Sequence, residues 1–391
     1  MLASGTLGAL EEGGVNKFGV VAAAVLAAGL ASPSQAAETG ALEIASLGYL
    51  FAGGKYIDTP DGKFMAGQAY VEYQIPKNRT HPYPIVMIHG GGQSGSNFTG
   101  TPDGREGWAQ YFLKQGYAVY VVDQAGRGRS ALASVYGKTA ISPVATVEQR
   151  FTAPERSKLW PQAKLHTQWP GTGVAGDPAF DQFYAEQLPS IADFPKQQEL
   201  NRDAGAALLD KIGPAILLTH SQSGAMGWPI ADARPNLVKA IVAVEPNGPP
   251  VYDVVYKGAP DYFSQGPLTK PWGITAAPLT YGGVTNASDL AFAEQEKADG
   301  PELLKCWKQK EPARALTKLR DIPVVIISSE ASYHAPYDHC TAQYLAQAGV
   351  KNTHIRLADR GIHGNGHMMM LEKNNLQIAG LIGEWLRNTL H

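Results

Sequence analysis

The 391-residue sequence has little cysteine, little charge and no apolar run long enough to cross a bilayer comfortably. Its two cysteines, Cys306 and Cys340, have no spacing that suggests a metal site. Charged residues make up only 17% of the chain and the net charge is −2, which gives no general electrostatic reason to bind nucleic acid or an anionic membrane. A dinucleotide fingerprint and an HExxH helix are both missing. Asp123-x-x-Gly126-x-Gly128-x-Ser130 has neither the Lys-Ser/Thr ending nor the glycine spacing of a phosphate loop, and reads as a tight turn after a strand. Internal repeats are absent, as is low complexity beyond the N-terminus. What is plentiful is glycine (43) and proline (27), the mark of many loops, beside a hydrophobic fraction of 44% that suits one large α/β domain with insertions, or two domains.

Residues 18–31 form the one notable apolar run, ending before Ser34-x-Ala36, the small-x-small pattern of a secretory cleavage site. Lys17 is the only positive charge ahead of it, opposed by Glu11 and Glu12. Residues 1–36 are therefore expected to hold a signal peptide, a shorter one if translation starts at Val15 through an alternative start codon; the alternative is a membrane-tethered or disordered tail. The expected location is secreted or periplasmic, with no stable membrane insertion after cleavage. An even cysteine pair fits export either as a disulfide or as two separate buried thiols.

From about residue 41 the pattern is strand-like at Ala41–Phe51 and Gln68–Ile75. An apolar strand over Tyr83–Ile88 then runs into His89-Gly90-Gly91-Gly92. Helical and apolar-strand segments alternate afterwards: helix Trp108–Gln115, strand Ala118–Val122, helix 198–211, strand 214–219, helix 224–234, strand Ala240–Val244, strand Ile322–Ile327, helix 339–347, strand Thr353–Leu357 and helix Asn375–Leu386. Such a rhythm predicts an α/β fold, a mainly parallel central sheet with helices on both faces, its ligand site at the carboxyl ends of the strands. Two irregular, aromatic-rich stretches, about 131–197 and 246–310, are expected to be cap or lid insertions in a single domain spanning 37–391.

The most informative stretch is Thr219-His220-Ser221-Gln222-Ser223-Gly224, between an apolar strand and a helix. A serine there, with small neighbours two residues away on each side, is a nucleophile elbow: the turn lifts the hydroxyl above the sheet and points the next backbone N–H at a developing oxyanion. The usual glycines are replaced by Thr219 and Ser223. No carboxylate holds the nucleophile position, which argues against dehalogenase and epoxide hydrolase chemistry. Serine needs a base, and the base an orienting acid. The loop after the last strand carries two histidines, His363 and His367; position favours His367, just before an apolar triplet. Two strand-end carboxylates, Glu245 and Glu330, are candidates for the acid, and spacing does not separate them. His89-Gly90-Gly91-Gly92 is an oxyanion-loop element in register with the elbow.

With these residues in place, residues 68–390 resemble the α/β-hydrolase superfamily, and most of all a small bacterial esterase group typified by the Alcaligenes esterase. The matching segments are Tyr73-Gln74-Ile75-Pro76, Thr101-Pro102-Asp103-Gly104-Arg105, Asp123 to Ser130, His220-Ser221-Gln222-Ser223-Gly224, Val244-Glu245-Pro246 and His363-Gly364-Asn365-Gly366-His367-Met368-Met369-Met370. The resemblance implies Glu245 as the acid and His367 as the base, and sets Glu330 aside. This chain departs from the group at Gly91-Gly92, where adjacent cysteines are usual; the backbone N–H role survives the change.

The resulting expectation is a serine esterase without cofactor or metal. Ser221, His367 and Glu245 form its triad; Gln222 with Gly91 or Gly92 holds the oxyanion. Its partner is a small-molecule ester, and a homodimer is compatible with the reading. The alternatives are lactone, amide or carbamate hydrolysis by the same triad, and a catalytically inactive binding protein on this scaffold.

Overall fold

A computed structural model describes residues 41–130 and 133–390. The signal-peptide expectation for residues 1–36 lies outside them. An eight-stranded sheet is formed by β1 (Ile44–Thr59), β2 (Gly62–Pro76), β3 (Ile85–Ile88), β4 (Val119–Asp123), β5 (Ala215–His220), β6 (Val238–Val244), β7 (Val324–Ser328) and β8 (Asn352–Arg356). Their spatial order is β1-β2-β4-β3-β5-β6-β7-β8. β1, β2 and β4 pair antiparallel, and every pairing from β4 through β8 is parallel.

The parallel strands are near-continuous apolar runs because both of their faces are buried. Alternate side chains then sort to opposite sides. Ile85, Met87, Ile216, Leu218, Val325 and Ile327 join one core with helices α1 (Trp108–Lys114) and α5 (Asn375–Thr389). Val86, Ile88, Leu217, Ile241, Val324 and Ile326 join the other. That second core also takes side chains from α2 (Phe194–Ile212), α3 (Gly224–Ala233) and α4 (Asp338–Gln347). Burying each such side chain contributes about 1.5–3 kcal/mol. The two helices of the first core are tied together by the Trp108 indole, which donates to the Asn375 carbonyl at 2.9 Å.

Elements fall within a few residues of the sequence expectation except at the N-terminal ribbon. Strands expected to end at Phe51 and to begin at Gln68 instead run on to Thr59 and from Gly62. Beyond the sheet the ribbon is held by its own cross-strand pairing, so Lys55, Asp58 and Lys63 sit in a strand despite their polarity.

The two irregular stretches contain small antiparallel pairs of their own. Thr139–Ala140 pairs with Ser190–Ile191, Tyr252–Tyr256 with Phe263–Leu268, and Phe292–Glu294 with Trp307–Gln309. A disulfide joins Cys306 to Cys340 on α4, so the pair left open by the sequence is a cross-link, with Val254, Tyr256 and Tyr337 packed around it.

Candidate active site

Strand β5 is buried along its whole length and delivers Ser221 at its carboxyl end. Ser221 adopts φ 55°, a left-handed conformation that costs a non-glycine residue about 1–3 kcal/mol and is held only by its surroundings. Here the Asn247 N–H donates to the Ser221 carbonyl at 2.8 Å. The residues that replace the usual glycines are absorbed locally. The Ser223 hydroxyl donates to the Ile88 carbonyl at 2.6 Å and accepts from the His220 N–H at 2.9 Å. Thr219 packs its methyl against Gly227, where an added Cβ would lie only 2.8 Å away. The close approach normally made by an elbow glycine is made one residue later. At Gly224 an added Cβ would sit 2.5 Å from the Pro246 Cβ.

Pro246 follows Glu245, which comes immediately after β6 and has φ 43°. The His367 Nδ1–H donates to Glu245 Oε2 at 2.6 Å. The same carboxylate accepts from the Ser332 hydroxyl at 2.6 Å and from the Ser329 N–H at 2.7 Å. Burial and the Asp338 charge raise the Glu245 carboxyl, and the serine hydrogen bonds pull it back. Three donors converging on its two oxygens are the partners of an ionised carboxylate. Burial, then His220 and His334, hold His367 well below the ordinary imidazole range, so its ring is neutral and Nε2 carries a lone pair. The Tyr333 hydroxyl donates to that Nε2 at 3.2 Å.

The loop bearing His367 is fixed from several sides. His220 Nε2–H donates to the His367 carbonyl at 3.0 Å, and the Ser329 hydroxyl to the Gly366 carbonyl at 2.7 Å. The Gly366 N–H donates to Glu372 at 2.8 Å, and Glu372 is paired with buried His166 at 2.8 Å. His166, held between Glu372 and Glu155, is raised to about 9: its two carboxylate partners outweigh burial, the largest single influence, which alone would lower it.

His363 and Glu330 form a separate pair. His363 Nδ1 lies 3.1 Å from Glu330 Oε1, and its side chain is 62% exposed. Glu330 Oε2 also accepts from the Gly364 N–H at 2.9 Å. Each candidate acid therefore meets one candidate histidine, and of the two histidines only His367 lines the same cavity as Ser221.

The loop after β3 sits against the elbow: an added Cβ at Gly90 would be 3.1 Å from the Ser221 Cβ, and one at Gly91 would be 3.7 Å from the Gln222 amide group. The Gly92 N–H donates to the Ser190 hydroxyl at 3.3 Å, while the Gly91 N–H has no such partner among the described residues. Arg127, which the sequence reading passed over as part of a turn, holds this arrangement. Its guanidinium donates to the Gly90 carbonyl at 2.8 Å, to the Gln222 side chain at 3.0 Å and to the Ser190 hydroxyl. Burial brings it down to about 10, leaving it charged. Tyr333 was likewise missed. The available signal was its place in Glu330-Ala331-Ser332-Tyr333-His334, a polar run at the carboxyl end of β7, where such sheets build their sites.

A cavity of about 540 Å³ opens over Ser221. Its walls come largely from the two irregular stretches, with Ile141, Arg150 and Phe151 from the first and Val254, Val255 and Tyr256 from the second. Among the described residues two side-chain groups have metal-ligand composition, Glu245 with His334 and His367, and Cys306 with His339 and Cys340. Glu245 and His367 already satisfy one another, and the cysteines are joined as a disulfide, so neither group offers a free ligand set.

A parallel sheet with a strained serine at a strand-to-helix turn and a buried histidine–carboxylate pair beside it defines the α/β-hydrolase class. Residues 85–380 match the alpha/beta hydrolase family, and the chain belongs to it. It is 49% identical over 331 residues to the probable secreted lipase phiG of Fungal sp. (strain ATCC 74256), covering 83% of this chain and 87% of that protein. Among solved structures it is similar to a novel bacterial esterase determined at atomic resolution. That match has 27% identity and a TM-score of 0.58, and covers 90% of this chain and 98% of the esterase.

Proposed function

We propose that this protein is a secreted serine hydrolase of carboxylic esters. The observation that carries the reading is the buried His367–Glu245 pair beside a serine at φ 55°. Ser221 Oγ attacks the ester carbonyl while its proton passes to His367 Nε2. Glu245 holds the ring in the Nδ1–H tautomer and stabilises the imidazolium that forms. The N–H groups of Gln222 and Gly91 receive the oxyanion; the Gly92 N–H is engaged by Ser190, which favours Gly91 for this part. Collapse releases the alcohol and leaves an acyl-enzyme, which water hydrolyses by the same route. Relatives described as a secreted lipase and as an esterase support the bond type, and the secreted name and the disulfide support export. The stretches 131–197 and 246–310, whose residues wall the cavity, act as the cap that sizes the substrate.

The test is hydrolysis of a p-nitrophenyl ester series, acetate to long acyl chains, by wild type and Ser221→Ala. A loss of at least about 10³-fold is expected in the variant, with the chain-length profile measuring the acyl pocket. Retention of activity by Ser221→Ala would refute the assignment.

A further inference from the structure

Tyr333 is placed at the junction of the proposed nucleophile and base. Its hydroxyl is 3.2 Å from His367 Nε2, and Tyr333 lines the same cavity as Ser221 and His367. Because the His367 Nδ1–H donates a hydrogen bond to Glu245, the neutral ring's Nε2 is an acceptor and the phenol must be the donor. The ring is held by its surroundings. It lies 4.7 Å from the His367 ring, 4.5 Å from His334, 6.0 Å from Tyr256 and 6.1 Å from Trp160, centre to centre. The Tyr256 hydroxyl also donates to the Tyr333 carbonyl. Burial raises the phenol well above its ordinary value, so it keeps its proton at any working pH.

We propose that Tyr333 is a further catalytic residue, its hydroxyl donating a hydrogen bond to the leaving alkoxy oxygen, and that the enzyme is thereby fitted to esters of aliphatic alcohols. This rests on the Ser221–His367–Glu245 reading. As Oγ bonds to the carbonyl carbon, the serine proton moves to Nε2 and the carbonyl π pair moves onto the oxyanion. Nε2 now carries a proton and can no longer accept, so the Tyr333 O–H loses its resting partner. The leaving oxygen must approach Nε2–H to collect a proton, and this brings it beside the same hydroxyl. When the carbonyl re-forms, the C–O bond to the leaving group breaks and its electron pair stays on the departing oxygen. That oxygen takes the proton from Nε2, while Tyr333 keeps its own. A bond of this kind contributes most where the departing oxygen holds most charge, as in an alkoxide, and least where a nitrophenyl ring disperses it.

The experiment compares kcat/KM, which reports acylation, for wild type, Tyr333→Phe and Ser221→Ala on esters of one acid with p-nitrophenol, phenol and ethanol. Phenylalanine keeps the ring packing and removes only the hydroxyl. The ratio of p-nitrophenyl to ethyl ester kcat/KM is expected to rise by about tenfold or more in Tyr333→Phe. An equal loss on all three esters would overturn the proposal, because packing or a proton relay between Ser221 and His367 would then account for the contact. No loss on any of them would overturn it as well. Ser221→Ala reports separately on the underlying reading, which fails if that variant retains activity whatever Tyr333→Phe does.

Discussion

Two carboxylate–histidine pairs compete for the same chemistry, and burial separates them. Glu245 and His367 have side chains 0% and 1% exposed, against 22% and 62% for Glu330 and His363. Water screens the second pair, so its two members interact weakly. Glu245→Gln is therefore expected to cut kcat on esters by about 10²–10⁴-fold, since glutamine no longer fixes the Nδ1–H tautomer. Glu330→Gln is expected to stay within about threefold of wild type, because its histidine partner His363 lies outside the proposed triad and glutamine can still accept from the Gly364 N–H. Steady-state kinetics on one p-nitrophenyl ester reads both variants. The serine was legible in sequence because its requirement is local: a buried strand, a tight turn and a helix in immediate succession. Spacing alone did not separate the two pairs, because both glutamates follow adjacent strands and both histidines share one loop. The roles of Arg127 and Tyr333 were not legible, since each depends on segments far apart in sequence meeting in space. Arg127 touches Gly90, Ser190 and Gln222.

At the scale of elements, helix α3 presses directly on the loop that follows β6, and the fit leaves no room for a side chain at Gly224. Gly224→Ala would force the Pro246 backbone aside, and Glu245 with it. The expected result is a stability loss of about 1–3 kcal/mol from overpacking, with a fall in kcat on p-nitrophenyl esters. Urea unfolding measures the first and ester hydrolysis the second; an unchanged midpoint with unchanged kcat would refute the steric account. The core strands were readable because burial on both faces makes them uniformly apolar. The β1–β2 ribbon was underestimated for the opposite reason. Its outer part is stabilised by pairing rather than by burial, and Gly53, Gly54 and Gly67 at positive φ interrupt the alternation that marks a strand. The short pairs inside the irregular stretches were invisible because strands of two to six residues carry little measurable period.

For the whole molecule, the charge network at His166 links the first irregular stretch to the loop that bears His367. Its folded-state value of about 9 lies above the ordinary 6.5, so the sign is that of a protonated group stabilised by folding. The contribution is fully present below pH 6.5 and disappears as pH rises through 9, a loss on the order of 3 kcal/mol. Thermal midpoints of wild type should therefore fall over that interval, and His166→Gln should flatten this part of the profile; a parallel profile in the variant would exclude the network as its source. A covalent long-range tie is the Cys306–Cys340 cross-link, which joins residues 34 positions apart and contributes about 2–4 kcal/mol. Its neighbours Val254 and Tyr256 also line the cavity. Material produced in a reducing cytoplasm would thus share the sequence, sheet and proposed triad of material folded in an oxidising compartment yet carry a looser back wall over the serine. Two batches from different expression hosts are the same reagent only when their free thiols have been counted.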